Sequence, residues 1–113
     1  MESEDGCTVF HSLRGEVSIP EDGILSRPIL SNDSVRIVLF GMSAGQELTE
    51  HTSSMEALLQ ILQGEAEVRL GGTTHRLTGG AFIHIPPRLP HSFKALQPLV
   101  LLLVLLRRPP APE

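Results

Sequence analysis

Glu65-Ala66-Glu67-Val68-Arg69-Leu70-Gly71-Gly72-Thr73-Thr74-His75-Arg76-Leu77-Thr78-Gly79-Gly80-Ala81-Phe82-Ile83-His84-Ile85-Pro86-Pro87 decides the fold class. Glu65 to Leu70 alternates charged and apolar residues, the period of a half-buried strand. Gly71-Gly72 then predicts a hairpin turn, and Thr73 to Leu77 the returning strand. Gly79-Gly80 marks a second turn and Ala81 to Ile85 a third strand. Pro86-Pro87 ends it, because proline gives no N–H to a ladder.

The same grammar continues outward. Val35 to Phe40 is β-branched and mostly apolar, and Gly41 follows it. Leu58 to Leu62, His91 to Ala95 and Leu99 to Leu106 complete the set. The one helical rival, Met55–Leu62, matches a 3.6-residue period poorly. Turn signals every eight to twelve residues predict an all-β sandwich or barrel.

The chain has 113 residues, 41% hydrophobic and 19% charged, which fits one globular domain spanning 1–113. Its core is expected at about 35–106, with 1–15 and the Pro-rich 107–113 frayed. Nine Lys and Arg against thirteen Asp and Glu give a net charge of −4, so no basic face for nucleic acid is expected. No Trp or Tyr is present, which disfavours ligands stacked between several aromatics. Single Cys7 allows no intrachain disulfide, and the polar Met1–Asp5 start has no secretory pattern. Together these predict a cytoplasmic protein.

Leu99-Val100-Leu101-Leu102-Leu103-Val104-Leu105-Leu106 is too short to cross a bilayer as a helix, which takes roughly 20 residues. No membrane contact is expected. As a strand it must be buried on both faces. Alternate residues point outward, and burying each is worth roughly 1.5–3 kcal/mol. A homodimer built on this strand is therefore expected. Cover from the chain's own Val17, Ile19, Ile24 and Leu25 is the rival.

Two segments carry the chemistry. Gly45, His51 and Gly64 fit the first cupin motif, G-x5-H-x-H-x3-4-E-x6-G. Gly80, Pro86 and His91 fit the second, G-x5-P-x-G-x2-H-x3-N. Over roughly residues 35–106 the chain resembles a small single-domain cupin of the RmlC-like type. The resemblance implies a double-stranded β-helix, the cupin jelly-roll barrel of two antiparallel sheets. It also implies a barrel pocket near the metal-ligand positions, which here are His51, Ser53, Ala57 and His91. Two of the four ligand types are gone. Arg88 replaces the second motif's Gly and Ala95 its Asn. The Ala57-to-Glu65 stretch looks like a subgroup of small cupins in which Ala replaces the Glu.

A zinc or non-haem iron site usually takes three protein ligands or more. Losing the carboxylate should cost at least the 10–100-fold typical of an outer-shell change. The expectation is therefore His51 and His91 holding at most a weak divalent transition metal, Zn, Fe, Ni or Mn, at low occupancy. Glu56 and Glu50 have the wrong strand parity to replace the carboxylate, and Glu47 lies about 13 Å along the strand. Met55 shares the parity of His51 if the strand is continuous. A His51–Met55–His91 set would suit Cu(I), but Met in a barrel is usually core. His84, between Ile83 and Ile85, should face away from the interior. His75 should be exposed on an edge hairpin, and His11 carries no signal.

The reading is a binding module whose pocket residues, His51, Ser53, Met55, Ala57 and His91, hold a small molecule or a weak metal ion without robust catalysis. The alternative is a metal-dependent dioxygenase or isomerase with a reduced ligand set. A metal-free epimerase ranks below both, because Asp5, Asp22 and Asp33 all lie outside the motifs.

Overall fold

The computed structural model describes residues 2–4, 6–51 and 53–107, with side chains at all of these except 2–4, 50 and 51. The described residues are almost entirely strand. The short β1 (Glu2–Glu4) and β2 (Cys7–Val9) form a hairpin, and one 3-10 turn spans Arg14–Glu16. Then follow β3 (Ile24–Ser31), β4 (Val35–Met42), β5 (Glu47–His51), β6 (Glu56–Gln63), β7 (Glu65–Leu70) and β8 (Thr73–Thr78). The last three are β9 (Phe82–Ile85), β10 (His91–Ala95) and β11 (Leu99–Leu106). Among the described residues no helix is long and apolar enough to cross a membrane. The rival helix at Met55–Leu62 is strand β6.

Apart from the β1–β2 hairpin, the strands make two sheets with only antiparallel pairings. One has four strands in the order β5-β10-β7-β8, the other five in the order β3-β4-β11-β6-β9. Their inner faces enclose a core of Met42, Leu59, Ile61, Val68, Ile85, Phe93, Leu99 and Leu101, among others. This is the jelly-roll arrangement expected from the motifs. Gly64 shows why a motif position is glycine. Its φ is +92°, and a Cβ there would stand 2.2 Å from the Pro98 carbonyl oxygen.

Strand β11 lies at the centre of the larger sheet, paired along its length with β4 and β6. Its odd residues face the interior. On its outer face Val100 is fully buried in a second cluster with Val17, Ile29 and Leu39, against which Phe10, Leu13, Ile19 and Leu102 pack. The segment 10–19 therefore covers half of the outer stripe. Val17 and Ile19 act as the sequence reading anticipated, but Ile24 and Leu25 do not: both are exposed on edge strand β3. Farther along, Val104 lies in a shallow apolar groove with Leu58, Leu102 and Phe82, and Phe82 is 64% exposed.

The cover is fastened at two points. Arg27 on β3 donates to the Glu16 carbonyl oxygen (2.9 Å) and pairs with its carboxylate (3.1 Å). At Gly41 the segment crosses the sheet so closely that a Cβ would stand 2.2 Å from the Ser18 carbonyl oxygen. Backbone cannot yield there as a side-chain tip can. Overpacking of this kind costs about 1–3 kcal/mol. Gly41→Ala should therefore lift the segment, seen as faster hydrogen exchange at residues 10–19 with the ladders of the smaller sheet unchanged. Unchanged protection at 10–19 would contradict this account of the crossing.

Arg88 is the one non-glycine with positive φ (66°) among the described residues. It sits in the turn after Pro86-Pro87, where its N–H donates to the Ser53 carbonyl (2.7 Å). The left-handed region costs an L-residue roughly 1–2 kcal/mol. Glycine would remove that cost but lose about 0.4–1 kcal/mol to its freer unfolded chain. Arg88→Gly should thus raise stability by about 0.5–1 kcal/mol, a gain of roughly 2–4 °C in the thermal midpoint. A lowered midpoint would show that the arginine side chain stabilises the turn by more than its backbone strains it.

Candidate functional site

The two inner faces part toward one end of the barrel and leave a cavity of about 410 Å³. This is toward the small end of the roughly 300–1,000 Å³ usual for ligand pockets. The larger sheet supplies Phe40 from β4, Ala57 and Leu59 from β6, and Leu101, Leu103 and Leu105 from β11. The smaller sheet supplies Leu48, His91 and Phe93, and Ser53 comes from the crossing between β5 and β6. Strand periodicity explains the wall: Leu101, Leu103 and Leu105 are alternate residues, paired with Phe40, Val38 and Arg36 on β4.

Among the described residues only Ser53 and His91 bring polar side chains to this lining. His91 is 6% exposed. Its Nδ1 lies 2.9 Å from the Leu89 carbonyl oxygen. A carbonyl can only accept, so Nδ1 carries a proton and donates it. Phe93 stands beside it, with ring centroids 5.7 Å apart. The Ser53 hydroxyl oxygen accepts the Met55 N–H (3.0 Å), and its carbonyl accepts the Arg88 N–H (2.7 Å). These bonds tie the 53–55 crossing to the turn at 86–90.

The residues singled out from the sequence separate here. Ser53, Ala57 and His91 line the cavity; Met55 is half-buried and does not. His51 ends β5 with its backbone directly across the ladder from His91, while its side chain lies outside the described residues. The parity argument for Met55 assumed one continuous strand. Instead β5 ends at His51 in one sheet, and β6 begins at Glu56 in the other, so parity does not carry across. Glu56 does face outward: its Oε2 lies 2.6 Å from Nε2 of His84, and both stand on the outer side of the larger sheet. Ile83 and Ile85 face inward, and His75 is exposed on edge strand β8.

Among the described residues no three His, Cys, Asp or Glu side chains gather to hold a metal. At the position where the motif has its carboxylate, Ala57 places a methyl group against the cavity, 3% exposed. The described donors, one imidazole and one hydroxyl, do not fit a zinc or iron site of the usual three protein ligands. Sequence reasoning expected an apolar pocket but named none of the leucines and phenylalanines of its wall. The alternation within Leu99–Leu106 held that signal, but it was read for its outward residues only.

Comparison with known proteins fits this architecture. The cupin domain model matches residues 38–105. A conserved protein of unknown function from Streptococcus pyogenes is 30% identical, with 96% of this chain and 94% of that one covered and a TM-score of 0.83. A cupin superfamily protein from Desulfitobacterium hafniense is 24% identical over 85% of this chain and 88% of that one, with a TM-score of 0.81. KdgF from a Halomonas species is 23% identical over 86% of this chain and 94% of that one, with a TM-score of 0.75. The latter two likenesses speak to fold alone. No curated protein matches the sequence significantly. With the domain match spanning more than half its length and a near full-length relative alongside, the chain belongs to the cupin domain family.

Proposed function

We propose that the protein is a binding module that holds a small, largely apolar molecule in the barrel cavity. The observation that supports this most is the lining: eight apolar side chains against Ser53 and His91. A polar group buried without a partner costs roughly 1–3 kcal/mol, so a polar ligand would be penalised nearly everywhere in this space. Among the described residues, Ser53 and His91 are the two polar side chains that the polar end of a ligand meets there. The same lining offers little for turnover: among the described residues no carboxylate lines it, and the His91 ring is oriented through Nδ1 by the Leu89 carbonyl.

Decanol, an uncharged probe, tests the reading by methyl NMR. It should shift the methyl signals of Leu59, Leu103 and Leu105 and leave those of Leu58 and Val104, on the outer face, in place. Ala57→Phe, which fills the cavity from its wall, should weaken binding at least ten-fold. Leu103→Trp is a second blocking variant should the first fail to fold. Shifts confined to the outer face, or none, would overturn the proposal.

The reading also includes a metal occupancy well below one ion per chain, because the described donors are too few. Elemental analysis of untagged protein should find substoichiometric iron, zinc, nickel and manganese. Any of these at one per chain and resistant to chelators would favour the metal-enzyme alternative.

A further inference from the structure

We propose that the mouth of this cavity receives an anionic head group, so that the ligand is an apolar tail ending in a carboxylate or phosphate. The inference rests on the binding reading above and adds the chemistry of the ligand's exposed end. Three arginines on three separate segments, Arg36, Arg88 and Arg107, stand next to residues of the cavity wall or to their ladder partners.

Arg36 is placed by the ladder. It pairs with Leu105, a residue of the cavity wall, and Leu105 pairs on its other side with Ala57, another. Partners across a ladder point to the same side. Arg36 is therefore on the cavity side, one strand from Leu105, and is half-buried. Arg107 lies two residues beyond Leu105. Its N–H donates to the Ser34 carbonyl (2.9 Å), and its Nη2 donates to the hydroxyl of Ser31, the ladder partner of Arg36 (3.1 Å). Arg88 is held by its N–H bond to Ser53, which itself lines the cavity.

The balance of charge at this end favours an anion. Among the described residues no Asp, Glu, Lys or Arg side chain is part of the lining itself. Among the described residues neither Arg36 nor Arg88 forms an ion pair. Of the acids nearby, Asp33 is exposed in the turn between β3 and β4, Glu56 is turned outward onto His84, and the Glu50 side chain is not described. In a chain of net charge −4, Arg36 and Arg88 are thus two cations with no ion pair among the described residues, set next to cavity-wall residues Leu105 and Ser53. Arg88 also occupies a backbone conformation that glycine would adopt freely, and strain of this kind clusters at ligand clamps. A guanidinium offers a carboxylate or phosphate two parallel N–H donors, which explains arginine in this place.

Isothermal titration with decanoate, decyl phosphate and decanol tests the assignment. At least one of the two anions should bind ten-fold or more tighter than decanol, and its affinity should fall as salt is raised. Whichever anion binds more tightly names the head group. Arg88→Gly, with its thermal midpoint measured as a control for folding, should lower the affinity for that anion roughly ten-fold and leave decanol within two-fold. Arg36→Met, which keeps the apolar stem, should do the same and provides an independent arm. Equal binding of the anions and decanol, or indifference of the anions to both substitutions, would overturn this inference while leaving the binding module intact. Failure of all three probes would overturn both.

Discussion

Eight consecutive leucines and valines in the central strand of a sheet must be kept dry on both sides, and the rest of the molecule is arranged around that demand. On the inner side Leu99 and Leu101 reach the closed core, where both are essentially inaccessible. On the outer side the sheet alone cannot protect Val100 and Leu102. A segment from before the barrel is drawn across them and held by Val17, Ile19 and the Arg27–Glu16 pair. The close approach at Gly41 follows from this cover, since the segment can seal the stripe only by lying directly on backbone.

The inner row changes character along its length. Leu99 and Leu101 meet the opposite sheet, but Leu103 and Leu105 stand where the sheets have drawn apart. The same alternation that closes the core thus furnishes the cavity wall. In a relative with the full ligand set, imidazoles and a carboxylate would interrupt that wall. Here Ala57 and Ser53 stand at two of those positions, and the change removes donors while extending an apolar surface. His91 remains, its Nδ1–H held by the Leu89 carbonyl, and with Ser53 it makes two polar side chains among the described residues of an otherwise apolar lining.

Much of this was legible beforehand. The strands at Glu65–Leu70, His91–Ala95 and Leu99–Leu106 begin and end where alternation and turn residues placed them. Those signals are local. The strand Ile24–Ser31 was not read as one, because edge strands need no strict period: most of its residues are exposed and it contains Pro28. The passage of the chain from one sheet to the other between His51 and Glu56 also left no mark in the composition, and any parity argument fails across it. At the site, motif spacing found Ser53, Ala57 and His91 but none of the leucines opposite. Nor did it find Arg36, whose charge within Val35-Arg36-Ile37-Val38 was the available clue to a strand end facing something other than core.

The cover across the larger sheet has a consequence for what counts as the domain. The family match spans 38–105, yet the residues that close the outer cluster, Val17, Ile19 and Ile29 among them, all precede it. The unit that the family model recognises is therefore smaller than the unit that closes this outer cluster. Excised at the family's borders, the barrel would lose the whole of β3 and present Leu39, Val100 and Leu102 to solvent beside an unpaired strand edge, the kind of surface that recruits other chains into aggregates. Residues 10–19, poor in strand pattern, thus belong to the folded unit through a few apolar anchors and a path over Gly41.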